Sequence, residues 1–289
     1  MKHRIVQIIP TLDQGGAEKQ LTLLATNLPR DEFEVHVGVL TRSGPLAAEL
    51  QQAHVPIFEI NKKLKFDPAA YWRLRGKLRE LKPAIVHTWL FADNSYGRKA
   101  AIAAGVPTII AGERCGDRWK VWHEFAIDRY LARRTTRIVT NSQGVADFYT
   151  EKGISPEKFE VIPNGIPAQR PHASISREVL FGQLDIPTDA KLIGAVGRLW
   201  PQKRYKDLIW AAELLKVIRP DTHLIIIGEG PQRQVLERFQ RNIGIQDRVH
   251  FLGQRKDVAS ILPHLSCYWI GSAYEGQSTG VMEAMLAGS

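Results

Sequence analysis

The sequence predicts an α/β fold with two domains, each built on a doubly wound and mostly parallel sheet. The chain has 289 residues, enough for two domains that each bury a core of their own. Short runs of β-branched residues alternate with longer stretches of helical periodicity, a pattern typical of parallel sheets with helices on both faces. This pattern breaks at residues 163–167, which are rich in proline and glycine, and then starts again.

The first domain is predicted to comprise residues 1–170. Residues 5–9 predict its first strand, and apolar residues at helical spacing over 17–28 predict its first helix. Further strands are predicted at residues 35–40, 57–60, 85–87, 108–111, 138–141 and 160–163. Further helices are predicted at residues 45–53, 71–81 and 95–104. The strict alternation of the two kinds of element favours parallel pairing.

The second domain is predicted to comprise residues 171–289, after a polar linker at about 168–176 that lacks periodicity. Strands are predicted at residues 192–196, 223–227, 249–252 and 267–270. Helices are predicted at residues 205–218, 233–242 and 279–286. The sequence ends where a helix would lead into another strand, so we expect a truncated second domain with an exposed sheet edge. Ligands are expected in a cleft between the domains, at the carboxyl ends of the strands.

The composition excludes several classes of protein. The N-terminal apolar run breaks at Pro10 and is no signal peptide, and no stretch approaches the roughly 20 apolar residues that span a bilayer. Cys115 and Cys267 lie far apart without a CxxC pair or histidine cluster, which favours reduced thiols and no zinc site. We therefore expect a cytoplasmic protein, with no segment that crosses the membrane.

The net charge of +9 is concentrated in the first half of the chain. Residues 1–170 hold 25 Lys and Arg against 18 Asp and Glu, whereas residues 171–289 hold 14 against 12. A basic domain indicates an anionic partner, either lipid headgroups or phosphorylated substrates. Nucleic acid is not expected as a partner, because no helix-turn-helix, RNP or zinc-finger signature is present.

The most informative segment, residues 271–289, contains two glutamates. Glu275 follows a predicted strand in a loop, and Glu283 falls near the first turn of the next predicted helix. Ser278 or Thr279 can cap that helix. Its free backbone N–H groups, made accessible by Gly276 and Gly280, can hold a diphosphate with one carboxylate on either side. The alternative is a first-turn acid favoured by the helix dipole and an unrelated acid in a surface loop.

In its whole pattern this segment resembles the E-x7-E signature of glycosyltransferase family 4, which has the two-domain GT-B fold and retains the anomeric configuration. The resemblance implies that Glu275 contacts the transferred sugar and that Glu283 contacts the nucleotide ribose. It further implies two Rossmann-like domains that face a cleft.

The segment Gly197-Arg-Leu-Trp-Pro-Gln-Lys resembles the part of that family that clamps the donor diphosphate with an arginine and a lysine. These roles fall on Arg198 and Lys203, since two cations at a strand end stabilise the charge of a diphosphate leaving group. Solvated surface cations are the alternative. The family usually has glycine after the lysine, where this sequence has Arg204. The loop therefore either turns differently or carries one more cation.

Near the start, Asp13-Gln-Gly-Gly-Ala-Glu resembles the first-domain glycine loop of the family. Gly15 and Gly16 would let the backbone approach a phosphate or an acceptor at the start of the helix. Glu18 is either a partner of the helix dipole or a site residue. The alternative for the glycine pair is an ordinary turn.

Further residues lie at predicted strand ends. His87 ends the predicted strand at 85–87, and by resemblance it approaches the donor sugar; the alternative is a half-buried histidine bonded to backbone. Glu113 and Arg114 occupy the end of the next strand and are candidates for binding acceptor or phosphate. Asn164 lies in a Pro-Asn-Gly segment like that between the domains of the family. Glu229 matches a segment near the nucleotide base, or is a turn residue.

The stretch 62–82 is basic and carries Phe66, Tyr71 and Trp72. It is either a surface helix packed on the sheet or a site that docks on anionic lipid. Trp119 and Trp122, near Arg118 and Lys120, form a second such candidate. Lipid-linked acceptors, which many relatives use, would place the protein at the inner face of the membrane.

The predicted function is transfer of a hexosyl group from a nucleoside diphosphate sugar to an acceptor hydroxyl, with retention. The resemblance favours front-side attack and metal independence, with no cofactor besides the donor, and no D-x-D motif stands in a suitable loop. Two alternatives stay open: a GT-B nucleotide-sugar epimerase, and a truncated chain that is inactive or binds only nucleotide. The donor base, the sugar, the acceptor and the oligomeric state are not determined by the sequence.

Overall fold

The computed structural model describes residues 2–167 and 174–289. The chain forms two compact units, one of Met1–Gly165 with Glu275–Gln277, and one of Ile166–Tyr274 with Ser278–Ser289. The predicted boundary between residues 170 and 171, and most of the predicted linker, lie outside the described residues. Neither Cys115 nor Cys267 forms a disulfide bond.

The first unit is built on a seven-stranded sheet in which every described pairing is parallel. Its strands are β1 (His3–Thr11), β2 (Phe33–Arg42), β3 (Ile57–Glu59), β4 (Ile85–Trp89), β5 (Thr108–Glu113), β6 (Arg137–Thr140) and β7 (Phe159–Val161). Its helices are α1 (Gly16–Asn27), α2 (Ala47–Gln52), α3 (Pro68–Leu81), α4 (Leu90–Ala104), α5 (Trp122–Ala132) and α6 (Gln143–Glu151). The strand order is β3-β2-β1-β4-β5-β6-β7.

The second unit is built on a smaller sheet of four parallel strands in the order β10-β9-β8-β11. The strands are β8 (Lys191–Val196), β9 (Thr222–Ile227), β10 (Val249–Gly253) and β11 (Cys267–Tyr268). The helices are α7 (Arg177–Leu184), α8 (Tyr205–Ile218), α9 (Arg233–Ile243), α10 (Val258–Ile261) and α11 (Thr279–Ala287).

Both sheets bury apolar side chains on both faces, as the doubly wound prediction requires. In β1, Val6 and Ile8 join one buried cluster, whereas Ile9 joins the cluster on the opposite face. In β8, Leu192 and Ile193 divide between two clusters in the same way. The predicted α/β architecture with two Rossmann-like parallel sheets is confirmed.

Local sequence explains several helix ends. The side chain of Asp67 caps α3 by accepting from the backbone N–H of Ala70 at 3.0 Å, and Pro68 occupies the first turn, where its missing N–H costs nothing. Lys82 closes α3 in the left-handed conformation before Pro83. Ser142 caps α6 through the N–H of Val145.

The sequence missed some elements and misjudged the bounds of others. Helices α5, α6, α7 and α10 were not predicted; α5 has exposed aromatic side chains on its outer face, which obscure an apolar stripe. The helix predicted at 95–104 begins earlier, at Leu90, and the helix predicted at 45–53 spans only Ala47–Gln52. The last predicted strand, 267–270, pairs only over Cys267–Tyr268.

Candidate active site

The order of the strands reverses once in each sheet. In the first unit the reversal lies between β1 and β4, and in the second unit it lies between β8 and β11. Ligands of open parallel sheets bind beyond the carboxyl ends of the strands at such a reversal. Each unit therefore has one position at which a ligand site is expected.

In the second unit, a lysine lies at the carboxyl end of β8. A Cβ placed on Gly197, the residue after the strand, would lie 4.0 Å from Nζ of Lys203 and 3.0 Å from the hydroxyl of Tyr205. Lys203 ends a 3-10 helix, Pro201–Lys203, which returns its ammonium group to the strand end. The structure thus places a cation where the sequence predicted one; its role as a diphosphate ligand stays a prediction.

The turn after β9 packs directly on the turn after β8. The N–H of Leu199 donates to the carbonyl of Glu229 at 2.9 Å. Gly228 has a φ of +144°, and a Cβ there would overlap the carbonyl oxygen of Gly197, so this close approach requires glycine. The carboxylate of Glu229 lies 3.2 Å from the guanidinium of Arg233, an i,i+4 ion pair typical of a turn that leads into a helix.

Helix α11 begins beside the same strand end. The hydroxyl of Tyr268 donates to the carbonyl of Val196, the last residue of β8, at 3.1 Å, and Gly280 lies against that hydroxyl. Ser278 is the N-cap, but its side chain makes no capping hydrogen bond, contrary to the prediction. The N–H groups of the first turn, from Thr279 on, have no acceptor within the helix, so they can hold an anion at this position.

Glu283 lies just past the first turn of α11. The helix begins at Thr279, as predicted, so Glu283 is its fifth residue and the first turn itself contains no acid. The influence of the helix dipole falls off within the first turn. The alternative explanation of Glu283 as a dipole-favoured first-turn acid is therefore weakened.

The backbone just before Glu275 is fixed to the 3-10 helix that ends at Lys203. The N–H of Ala273 donates to the carbonyl of Gln202 at 2.9 Å, and the amide of the Gln202 side chain donates to the carbonyl of Tyr274 at 2.7 Å. These bonds hold the loop that leads to Glu275 close to the predicted diphosphate ligand within the second unit.

The two arginines of this region have different environments. Arg198 is exposed, with its guanidinium 5.9 Å from the ring of Trp200. Arg204 has a φ of +51°, the left-handed conformation that glycine favours, so the backbone turns here as it would with glycine. The guanidinium of Arg204 forms an ion pair with Asp207 at 2.5 Å. The additional cation is thus engaged within its own helix.

In the first unit, the loop after β1 is occupied by an acid. Gly15 is the N-cap of α1, and Gly16 is the first residue of that helix. A Cβ on Gly15 would overlap the carboxylate of Glu18, which is buried. Glycine at this position thus makes room for Glu18, and the contact favours Glu18 as the partner of the helix start. A phosphate at Gly15 would have to displace this carboxylate.

His87 does not end its strand, because β4 continues through Trp89. Its ring lies 4.5 Å from the ring of Trp89, and its Nε2 atom is buried without a hydrogen-bond partner among the described residues. Burial, with a smaller contribution from Arg114, lowers the pKa of His87 to about 3. The imidazole is therefore neutral at physiological pH, able to accept a hydrogen bond but not to act as a cation.

Arg114 lies at the carboxyl end of β5, as predicted. Its guanidinium stands 5.1 Å from the ring of Trp89 and donates to the side chain of Asn164, and burial lowers its pKa to about 10. Asn164 in turn donates from Nδ2 to the carbonyl of Gln277 at 2.9 Å, within the same compact unit. Gly276 lies against the carbonyl of Arg114, leaving no room for a side chain.

The sequence did not reveal a buried ion network behind Glu113. The side chain of Lys120 is fully buried, with its ammonium group 3.0 Å from Asp128 and 3.3 Å from Asp117. It lies 3.7 Å from Glu113. The prediction that Lys120 is a surface cation beside Trp119 is wrong, because these carboxylates draw it into the interior.

The network is electrically balanced only when Glu113 is protonated. Arg98 pairs with Asp128 at 2.6 Å, so two cations face three acids. Burial raises the pKa of Glu113 to about 7; Lys120 opposes this shift, and the nearby acids add to it. The carboxyl group of Glu113 is held by the amide of Asn94 at 2.9 Å and the hydroxyl of Tyr149 at 3.0 Å.

Replacement of Glu113 by glutamine is expected to change how stability depends on pH. Because the folded state raises its pKa, Glu113 favours folding below pH 4.5, and this contribution is lost as the pH rises through 7. The free energy of unfolding lost in this way is about 3 kcal/mol, because the pKa rises from 4.5 to about 7 and each pKa unit corresponds to about 1.36 kcal/mol. Urea unfolding at several pH values should show that the free energy of unfolding of Glu113→Gln rises relative to that of the parent chain between pH 5 and 8. A constant difference across that range would contradict the assignment.

Comparison with known proteins identifies similar chains for both units. The model of Glycosyltransferase Family 4 matches residues 14–170, and that of Glycosyl transferases group 1 matches residues 176–289. Among the described residues, no group of three potential metal-binding side chains is present, and no helix is long and apolar enough to cross a membrane.

The chain is 27% identical to an Escherichia coli UDP-Gal:alpha-D-GlcNAc-diphosphoundecaprenol alpha-1,3-galactosyltransferase, over 98% of this chain and 76% of that protein. It is 23% identical to the Bacillus subtilis putative glycosyltransferase EpsF, over 99% of this chain and 77% of that protein. Among solved structures, Anabaena HepE in complex with UDP and glucose superposes with a TM-score of 0.86 at 22% identity, covering 99% of this chain and 79% of that one. This last likeness establishes the shared GT-B fold.

Proposed function

Because the chain belongs to glycosyltransferase family 4, we propose that it transfers a hexosyl group from a nucleoside diphosphate sugar to an acceptor hydroxyl with retention of configuration. The observation that supports this proposal is the convergence at the end of β8. There the ammonium group of Lys203, the first turn of α11 and the close glycine turns after β8 and β9 lie together. A cation and a helix N-terminus beside glycines, which carry no side chain, suit a diphosphate.

We propose uracil as the base of the donor, which would then be a UDP-sugar, and a lipid-linked diphosphate as the acceptor. The E. coli relative is named for a UDP-galactose donor and a diphosphoundecaprenol acceptor, and Anabaena HepE has been solved with UDP-glucose. The enzyme would then work at the inner face of the membrane. Neither a metal nor a further cofactor is part of the proposal.

In the proposed reaction, the bond between the anomeric carbon and the diphosphate breaks as the acceptor oxygen attacks from the same face. Lys203 and Arg198, with the N–H groups of α11, stabilise the negative charge that gathers on the leaving UDP. Glu275 orients the sugar, and Glu283 accepts hydrogen bonds from the ribose. The acceptor proton passes to the leaving phosphate. His87, neutral because of its burial, can donate or accept one hydrogen bond through Nε2 near the sugar, depending on its tautomer, but it adds no positive charge there.

Calorimetric titration with UDP, GDP and ADP tests the donor site independently of turnover. We expect UDP to bind most tightly, and Glu283→Ala to weaken it by about tenfold to a hundredfold, the value of one or two charge-assisted hydrogen bonds. Glu178→Ala, which removes an acid from the first turn of α7, should leave the affinity unchanged. If none of the nucleotides binds, the proposed donor site is wrong. Binding of UDP without release of product from UDP-hexose would favour a protein that only binds nucleotide.

A further inference from the structure

One edge of the first unit exposes large apolar side chains next to cations. The exposed fractions are 66% for Leu64, 78% for Phe66, 54% for Trp119 and 79% for Trp122. These residues lie in two segments, the loop 62–66 and residues 118–123, which end in the first turn of α5; together we call them the basic aromatic rim. Isolated exposed apolar side chains are ordinary, but four large ones in two short segments are not.

Both segments of the rim contact the N-terminal half of α4. The N–H of Asp67 donates to the hydroxyl of Tyr96 at 2.7 Å, and Nζ of Lys62 lies 5.1 Å from the Tyr96 ring. Five residues earlier in α4, the ring of Phe91 contacts that of Trp119, edge to face, at 5.4 Å. Both segments therefore pack on the N-terminal half of the same helix.

The charge of Lys65 also reaches the start of α5. The pKa of Glu124 is lowered first by the backbone N–H of Val121 and, to a lesser extent, by the charge of Lys65. Lys65 belongs to the first segment, and Glu124 directly follows the second.

The exposed charges of the rim are all positive. Its exposed residues include the cations Lys63, Lys65 and Arg118 and no acid. Three acids flank the rim, and each interacts with another group of the protein. Asp67 accepts from backbone N–H groups of α3 and of the loop before it, Asp117 faces buried Lys120, and Glu124 accepts from the backbone N–H of the residue that precedes α5. The outer surface is thus positive as well as apolar.

The rim lies at the carboxyl edge of the sheet. Segment 62–66 follows β3, α4 follows β4, and segment 118–123 follows β5. In a parallel sheet these strand ends meet at one edge, which is the edge that binds ligands. A surface that contacts the rim would therefore lie beside the ligand edge of the first unit.

We propose that the basic aromatic rim docks the protein on an anionic lipid bilayer, with Phe66 and Trp122 entering the interface and Lys63, Lys65 and Arg118 facing the headgroups. Tryptophan and phenylalanine suit the boundary between headgroups and acyl chains, and exposed lysines suit anionic headgroups. Charge complementarity selects this occupant over a second copy of the chain, whose rim would present the same positive charge. That the docked edge receives a lipid-linked acceptor rests on the proposed function; docking itself does not.

Co-sedimentation of the full chain with vesicles tests the proposal. We expect binding to vesicles of phosphatidylcholine with an equal part of phosphatidylglycerol, and at least tenfold weaker binding to phosphatidylcholine alone. Phe66→Ala and Trp122→Ala should each weaken binding by about tenfold or more. Lys63→Gln and Lys65→Gln should each weaken vesicle binding about fivefold and make that binding less dependent on salt concentration. The matched control is Trp210→Ala, which removes a half-exposed tryptophan from α8 of the second unit and should have no effect.

Other outcomes would overturn the proposal. These are an absence of vesicle binding, equal binding to neutral vesicles, or an equal loss in the Trp210→Ala control. If sedimentation velocity shows a dimer that Trp122→Ala dissociates, with no vesicle binding, the occupant is a second copy and the proposal is wrong. UDP titration of the same variants separates the two proposals, because the rim variants should keep the affinity of the parent chain for UDP.

Discussion

Replacement of Lys203 by methionine is expected to lower kcat/KM for sugar transfer by about a hundredfold to a thousandfold. Methionine keeps the length of the side chain but removes the charge at the end of β8. A preorganised group that meets charge as it develops is worth roughly 2.7–4 kcal/mol in the transition state. Because the diphosphate becomes more negative as the bond breaks, kcat should fall by more than KM rises.

The measurement is the initial rate of UDP release from UDP-hexose in the presence of acceptor. Lys206→Met is the matched control, because Lys206 lies only three residues further on, with its ammonium group over the ring of Phe239 at 4.7 Å. It should leave the rate unchanged. If the rate of Lys203→Met lies within threefold of the parent rate, Lys203 does not take part in catalysis and is only a surface cation.

The same lysine shows what the sequence could predict. A cation near a strand end follows from local spacing, because the end of a β-branched run marks the end of the strand. The αL turn at Arg204 was not predicted, because an arginine gives no sign of a left-handed backbone. By contrast, the first residue of α11 was predicted correctly, so the place of Glu283 just past the first turn follows from the sequence spacing alone.

The site of the first unit was less accessible to prediction. The sequence identified Glu113 and Arg114 as strand-end residues, but it gave no sign that Lys120 lies behind them. The members of the buried ion network come from β5, a loop, α4, α5 and α6, so no fixed spacing along the chain reveals it. Tryptophans near an arginine and a lysine suggest a basic surface equally well whether the lysine points outward or inward. Only the packing of α5 against the sheet decides between these alternatives.

Because that packing buries Lys120, the largest loss of stability is expected for Lys120→Met. The variant should be destabilised by about 3–5 kcal/mol at pH 8, the usual cost of leaving buried charges uncompensated. Lys120 has no exposed side-chain surface, and its ammonium group also donates to the hydroxyl of Tyr149 at 2.9 Å. Arg118→Met, two residues away on the exposed rim, should change stability by less than about 0.5 kcal/mol.

The dependence on pH distinguishes lost charge compensation from lost packing. Without Lys120, Glu113 loses the cation that lowers its pKa, so the folded state should hold its proton to a still higher pH than the unfolded chain does. Stability gained in this way is present at low pH and disappears as the pH rises. The deficit of Lys120→Met in urea unfolding should therefore be smaller at pH 5 than at pH 8, and Glu113→Gln in the same chain should recover part of it at pH 8. A deficit that is equal at both pH values would mean that Lys120 stabilises the unit through its packing, and not through the charges that it balances.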